Sequence, residues 1–93
     1  MKRLMLFKRK GCSQCPAAEA TVIEVLSENK YNVALELIDA DSIDKDLQYK
    51  LLNNQIFIIA TPTLVYNEED TYKVISVGRV PTIDEIKSIL EGK

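Results

Sequence analysis

Leu4-Met5-Leu6-Phe7 is a run of four large apolar residues closed in by charge, with Lys2-Arg3 before it and Lys8-Arg9-Lys10 after it. A strand with one wet face alternates apolar with polar side chains; an unbroken run reads as a strand buried on both faces. The rest of the chain supplies the cover. After Cys15-Pro16 the period changes, and Ala18, Val22, Val25 and Leu26 line one helical face while Glu19, Glu24 and Glu28 take the others. Asn29-Lys30-Tyr31-Asn32 closes that helix with turn chemistry. Val33-Ala34-Leu35-Glu36-Leu37-Ile38 reads as a second strand, with Val33, Leu35 and Leu37 on one side. Strand, helix and strand at this spacing make a βαβ unit, with parallel strands and a right-handed crossover.

Ser42 is placed to cap a second helix that carries Ile43, Leu47 and Leu51 inward, with Asp44 and Asp46 in its first turn where the helix dipole favours them. Beyond Pro62, Thr63-Leu64-Val65-Tyr66 and Tyr72-Lys73-Val74-Ile75-Ser76-Val77 read as an antiparallel hairpin looping through Asn67-Glu68-Glu69-Asp70. Gly78 interrupts the chain. Thr82-x-x-Glu85 is a capping box opening a last helix, with Ile83, Ile86, Ile89 and Leu90 on its inner face. The order is β-α-β-α-β-β-α over a single α/β domain, residues 1–93, without repeats or linker.

Composition narrows the chemistry. The net charge of −2 provides no basic field for nucleic acid. Five basic residues crowd the first ten positions, and acids gather at Glu36, Asp39, Asp41, Asp44 and Asp46; each run reads first as a solvated face. The apolar run at the N-terminus is too short for a signal segment and no later stretch spans a membrane, so a monomer in the cytoplasm is expected. There, two close cysteines serve catalysis or metal binding more often than they staple a fold. The sequence has no histidine, which removes Cys-His and Ser-His mechanisms and every histidine-ligated metal site.

Cys12 and Cys15 lie where the first strand gives way to the first helix. Cys12 is expected at or just before the helix N-terminus and Cys15 one turn in, as the resolving thiol. Bare helix amides and the positive end of the dipole favour thiolate at the first sulfur, and Lys8, Arg9 and Lys10 push the same way. Lowering a thiol pKa from about 8.5 to about 7 takes roughly 2 kcal/mol. The lost nucleophilicity returns a factor of about four or five of the gain, leaving a few-fold faster attacker and a better leaving group. Such a site suits repeated exchange. On the residues alone three uses stay open: dithiol exchange, carriage of soft copper (or of zinc, with ligands from elsewhere), and a non-catalytic interaction domain.

With Cys12-Ser13-Gln14-Cys15-Pro16 after the first strand, Ala60-Thr61-Pro62-Thr63 before the third, Gly78 after the fourth and an amphipathic last helix, the chain resembles the thioredoxin and glutaredoxin family over nearly its whole length. The resemblance implies a thioredoxin fold, a four-stranded mixed sheet flanked by three helices. It implies a cis peptide before Pro62, packed beside the redox pair, and a backbone at Thr61 that meets the substrate chain, with Gly78 leaving that surface open. Gly11, Ser13 and Gln14, around the cysteines, join Thr61, Pro62 and Gly78 as expected substrate-binding residues. The activity implied is reduction of disulfides in client proteins without a cofactor or metal, with a thioredoxin-reductase-type enzyme or a low-molecular-weight thiol returning the electrons. Departures are plain. Gly11 stands where thioredoxins carry tryptophan, Leu6 where they often bury an aspartate that assists proton transfer, and Ser76-Val77-Gly78-Arg79-Val80-Pro81 lacks the glutaredoxin glycine pair followed by an acid. Heavy-metal-associated domains also put Cys-x-x-Cys after a first strand, but follow their second strand directly with a third; here a helix from about Ile43 to Leu52 intervenes. For Ile56-Phe57-Ile58-Ile59-Ala60, a core role with one or two exposed side chains is expected over a full docking platform.

Overall fold

The computed structural model describes residues 1–28 and 30–92. Its elements run β1 (Lys2–Lys8), α1 (Cys15–Leu26), β2 (Val33–Asp39), α2 (Lys45–Asn53), β3 (Thr63–Glu68), β4 (Thr71–Val77) and α3 (Ile83–Leu90). The four strands form one sheet in the order β2-β1-β3-β4. β1 and β2 are parallel, while β3 pairs antiparallel with both β1 and β4.

The apolar run sits inside this sheet, and alternation divides it between two cores. Leu4 and Leu6 join Ala18, Val22 and Val25 of α1, Leu64 and Tyr66 of β3, and Ile86 of α3. Met5 and Phe7 face the other way, packing with Leu51 of α2, Ile56, Val65 and Tyr72. All four residues of the run are fully buried. Each such side chain contributes roughly 1.5–3 kcal/mol by leaving water, so this one strand anchors both faces.

Three expectations shift in detail. The second helix is capped by Asp44 rather than Ser42: the Asp44 carboxylate accepts from the N–H of Asp46 at 3.1 Å and of Leu47 at 3.4 Å. A charged acceptor at the positive end of a helix outcompetes a hydroxyl, and Ser42 is drawn instead into the preceding turn, its N–H donating to the Asp39 carbonyl at 3.0 Å. Leu37 is 47% exposed, unlike Val33 and Leu35, which pack against the α1 core; it lies toward the end of β2, an edge strand, on the side away from Ile38, which packs on the other core. The hairpin is tighter than expected. β3 continues through Glu68 and β4 starts at Thr71, leaving Glu69-Asp70 as the turn, with Glu69 at φ 54°. Asn67 holds that turn by donating to the Glu69 and Thr71 carbonyls. Of the turn at Asn29-Lys30-Tyr31-Asn32, Asn29 lies outside the described residues. The Tyr31 hydroxyl donates to the Glu91 carboxylate at 2.6 Å, which raises the phenol to a pKa of about 12.

Candidate active site at the end of the sheet

Sheet register brings the functional segments to one end. Phe7 of β1 pairs with Thr63, and Thr63 with Val77 of β4. The loop after β1, the segment before β3 and the segment after β4 therefore leave the sheet together. They carry Cys12, Thr61-Pro62 and Gly78 respectively.

The first loop turns at Gly11, with φ 78°, a left-handed conformation that favours glycine. The Cys12 N–H donates to the Arg9 carbonyl at 3.2 Å and the Cys15 N–H to the Cys12 carbonyl at 3.4 Å. α1 then begins at Cys15, with Gln14 as N-cap and Pro16 within the first turn, where its missing N–H costs little. Cys15 is thus the first helical residue, not one turn in, because the chain spends Gly11 to Gln14 on the turn before the helix starts. Cys12 stands three residues ahead of the helix mouth. Its Cα lies 5.5 Å from that of Cys15, and the two sulfurs are bridged. That separation is ordinary for a disulfide.

The two sulfurs differ in access. Cys15 opens the buried stripe that continues through Ala18, Val22 and Val25, and is 2% exposed. Cys12 is half-buried, while Gly11, Ser13 and Gln14 are exposed around it. An incoming group reaches Cys12 first.

The peptide between Thr61 and Pro62 is cis. Pro62 is buried and Thr61 half-buried. The Thr63 hydroxyl donates to the Ala60 carbonyl at 2.6 Å, and the Gly78 N–H to the Pro62 carbonyl at 2.8 Å. Gly78 is doubly constrained: its φ is 69°, and a Cβ there would lie 3.1 Å from the Ala60 Cβ. A side chain at that position would press on the loop that holds Pro62.

Charge near the cysteines is largely neutralised. Lys8 Nζ donates to Glu19 at 2.7 Å and Arg9 Nε to Asp41 at 2.9 Å. Lys10 is exposed and has no ion-pair partner among the described residues. Among the described residues no three His, Cys, Asp or Glu side chains gather to hold a metal ion. While bridged, neither sulfur is available as a thiolate ligand.

Two further features border the site, the first expected from the sequence without its residues being named and the second not foreseen. Phe57 and Ile59 project from the segment leading to Pro62, 62% and 79% exposed, while Ile56 and Ile58 pack inward. Two exposed residues of five match the expectation, with alternation along an extended segment as the cause. The second feature is a clamp. Arg79, just after Gly78, donates through both terminal nitrogens to the Glu85 carboxylate. Glu85 also accepts from the Thr82 N–H, completing the capping box of α3. The Arg79 guanidinium, then the Thr82 N–H, pull the Glu85 carboxyl down to about 2. An arginine six residues before the acid of a capping box was the available signal.

A family model described as a thioredoxin domain matches residues 3–91. The chain belongs to the thioredoxin-domain family. No curated protein matches the sequence. Among solved structures, thioredoxin-2 of the malaria parasite superposes with a TM-score of 0.71 at 13% identity, covering 100% of this chain and 84% of that one. Chloroplastic thioredoxin z gives 0.68 at 21% identity, covering 98% and 76%. Thioredoxin O1 from Arabidopsis thaliana in its oxidized state gives 0.65 at 23% identity, covering 98% and 76%. At these identities the likeness is one of fold. The thioredoxin fold and its bridged cysteine pair together support a thiol oxidoreductase. No helix is long and apolar enough to cross a membrane among the described residues.

Proposed function

We propose that this thioredoxin-family domain reduces disulfides of client proteins through Cys12 and Cys15. The observation that carries the reading is the unequal burial of a bridged pair: Cys12 within reach of a partner, Cys15 buried beneath it at 5.5 Å between Cα atoms. The Cys12 thiolate attacks one sulfur of the client disulfide, and the other client sulfur leaves as a thiolate. Cys15 then displaces the second client sulfur from Cys12. The client gains two electrons and the domain closes its bridge. Lys10, exposed in the loop before Cys12 and without an ion-pair partner among the described residues, favours the ionised form of Cys12. The client chain runs along the Thr61-Pro62 backbone, over a surface that Gly78 keeps open, with Gly11, Ser13 and Gln14 at its border and Phe57 and Ile59 flanking it. The cysteine pair itself carries the two electrons, as the dithiol, so no cofactor enters the cycle. A thioredoxin-reductase-type enzyme or a low-molecular-weight thiol reopens it.

Replacing Cys15 with Ser tests the roles. Wild-type protein should reduce insulin with dithiothreitol as donor, and Cys15→Ser should instead accumulate a covalent mixed disulfide at Cys12. Turnover of insulin by Cys15→Ser at the wild-type rate would overturn the assignment.

A further inference from the structure

We infer that the Glu19 carboxylate, held in place by Lys8, accepts the proton of Cys15 as that thiol closes the bridge. The inference rests on the dithiol exchange proposed above and assigns a residue to its second half.

Cys15 reacts as a thiolate but waits as a buried thiol. At 2% exposure it has almost no direct contact with water, and burial favours its neutral form. Its neighbours along the α1 stripe, Ala18, Val22 and Val25, are apolar, as are Leu4 and Leu6 in the same core. None can take a proton. Glu19 is four residues further along α1, which sets its Cβ about 5–6 Å from that of Cys15. Helical side chains tilt toward the N-terminus, so Glu19 leans over the turn that holds the thiol. It lies at the border of the stripe, with its side chain 28% exposed, and so joins the buried sulfur to solvent.

Strand alternation explains the lysine. Leu4, Leu6 and then Lys8 point to the α1 face of the sheet, and at this last position Nζ reaches across to Glu19 Oε1 at 2.7 Å. One carboxylate oxygen is thereby fixed. Oε2 has no partner among the described residues. The other charges at this end are engaged or turned outward. Asp39, opposite Lys8 on β2, accepts from the Asp41 N–H. Asp41 binds Arg9, Glu85 at the start of α3 binds Arg79, and Lys10 is exposed.

The step balances. With the client attached at Cys12, the Cys15 S–H gives its proton to Glu19 Oε2 and its sulfur attacks the Cys12 sulfur. The Cys12–Cys15 bond forms as the bond from Cys12 to the client breaks. The client sulfur leaves with the electron pair as a thiolate, and Glu19 passes its proton to that thiolate or to solvent, restoring the carboxylate.

Stopped-flow reaction of the reduced protein with 5,5′-dithiobis(2-nitrobenzoate) separates the two halves. Attack by Cys12 releases one coloured thiolate and closure by Cys15 releases the second. Glu19→Gln, which frees Lys8, should leave the first phase no slower and slow the second about tenfold or more at pH 7, the deficit vanishing near pH 9.5 where hydroxide deprotonates the thiol. Lys8→Met should slow the second phase less. In Glu19→Ala, added formate should restore part of the lost rate, which a purely structural defect would not allow. A second phase that is unchanged, faster (Glu19 being only a counter-ion to Lys8), or slowed equally at all pH without formate rescue would overturn the inference while leaving dithiol exchange intact. Failure of the wild-type protein to release the second thiolate would remove both.

Discussion

Glu85 joins the Gly78–Pro81 segment to α3, accepting from Arg79 on one side and from the Thr82 N–H on the other. Its folded pKa of about 2 lies below the ordinary 4.5, so the stability it contributes is present above about pH 4.5 and disappears as pH falls toward 2. The side chain is 34% exposed, so solvent and salt screen the pair to about 1 kcal/mol. Urea unfolding of Glu85→Gln should show that deficit at pH 7, shrinking to nothing near pH 2. A deficit of equal size at both pH values would mean that packing, not the carboxylate charge, makes the contribution. At this scale the capping box was legible from Thr82 and Glu85. The arginine clamp was not, because its formation depends on the course of the chain after Gly78.

Helix termini show where local pattern sufficed and where it did not. The inward faces of α1, α2 and α3 followed from period, since burial selects Val22, Leu51 and Ile86 whatever the end points are; Ile83, expected on the inner face of α3, is instead exposed at its first turn and joins neither core. The starts of α1 and α2 moved because several residues compete for each N-cap and the turn geometry decides. Asp44→Ala should therefore destabilise the domain by about 1 kcal/mol, whereas Ser42→Ala should change it by less than about 0.5 kcal/mol. Thermal melts of the two variants check this; a larger effect at Ser42 would restore the sequence-based cap. Moving the start of α1 to Cys15 places that sulfur at the head of the buried stripe and leaves Cys12 in the loop. The two thiols differ in access for that reason.

Across the whole molecule, the double-sided burial of β1 and the parallel β1–β2 pair were legible in the Leu4–Phe7 run and the βαβ spacing. The exposure of Leu37 was not, since a strand's place at the sheet edge is set by all four strands together. The grouping of Cys12, Thr61-Pro62 and Gly78 came from motif resemblance, and sheet register supplies its physical cause: three strands end at one level. The same register positions Lys8 beyond Leu6, on the α1 face beside Glu19. The central claim is that Cys12 and Cys15 interconvert reversibly between dithiol and bridge. It is tested most directly by equilibrating the protein in buffers of varied reduced-to-oxidised dithiothreitol ratio, trapping free thiols by alkylation and weighing the products. The account predicts one transition between doubly alkylated and unalkylated protein, with a two-electron slope of about 30 mV per tenfold change in ratio. Protein that stays doubly alkylated at every ratio, or forms only bridges between chains, would contradict it.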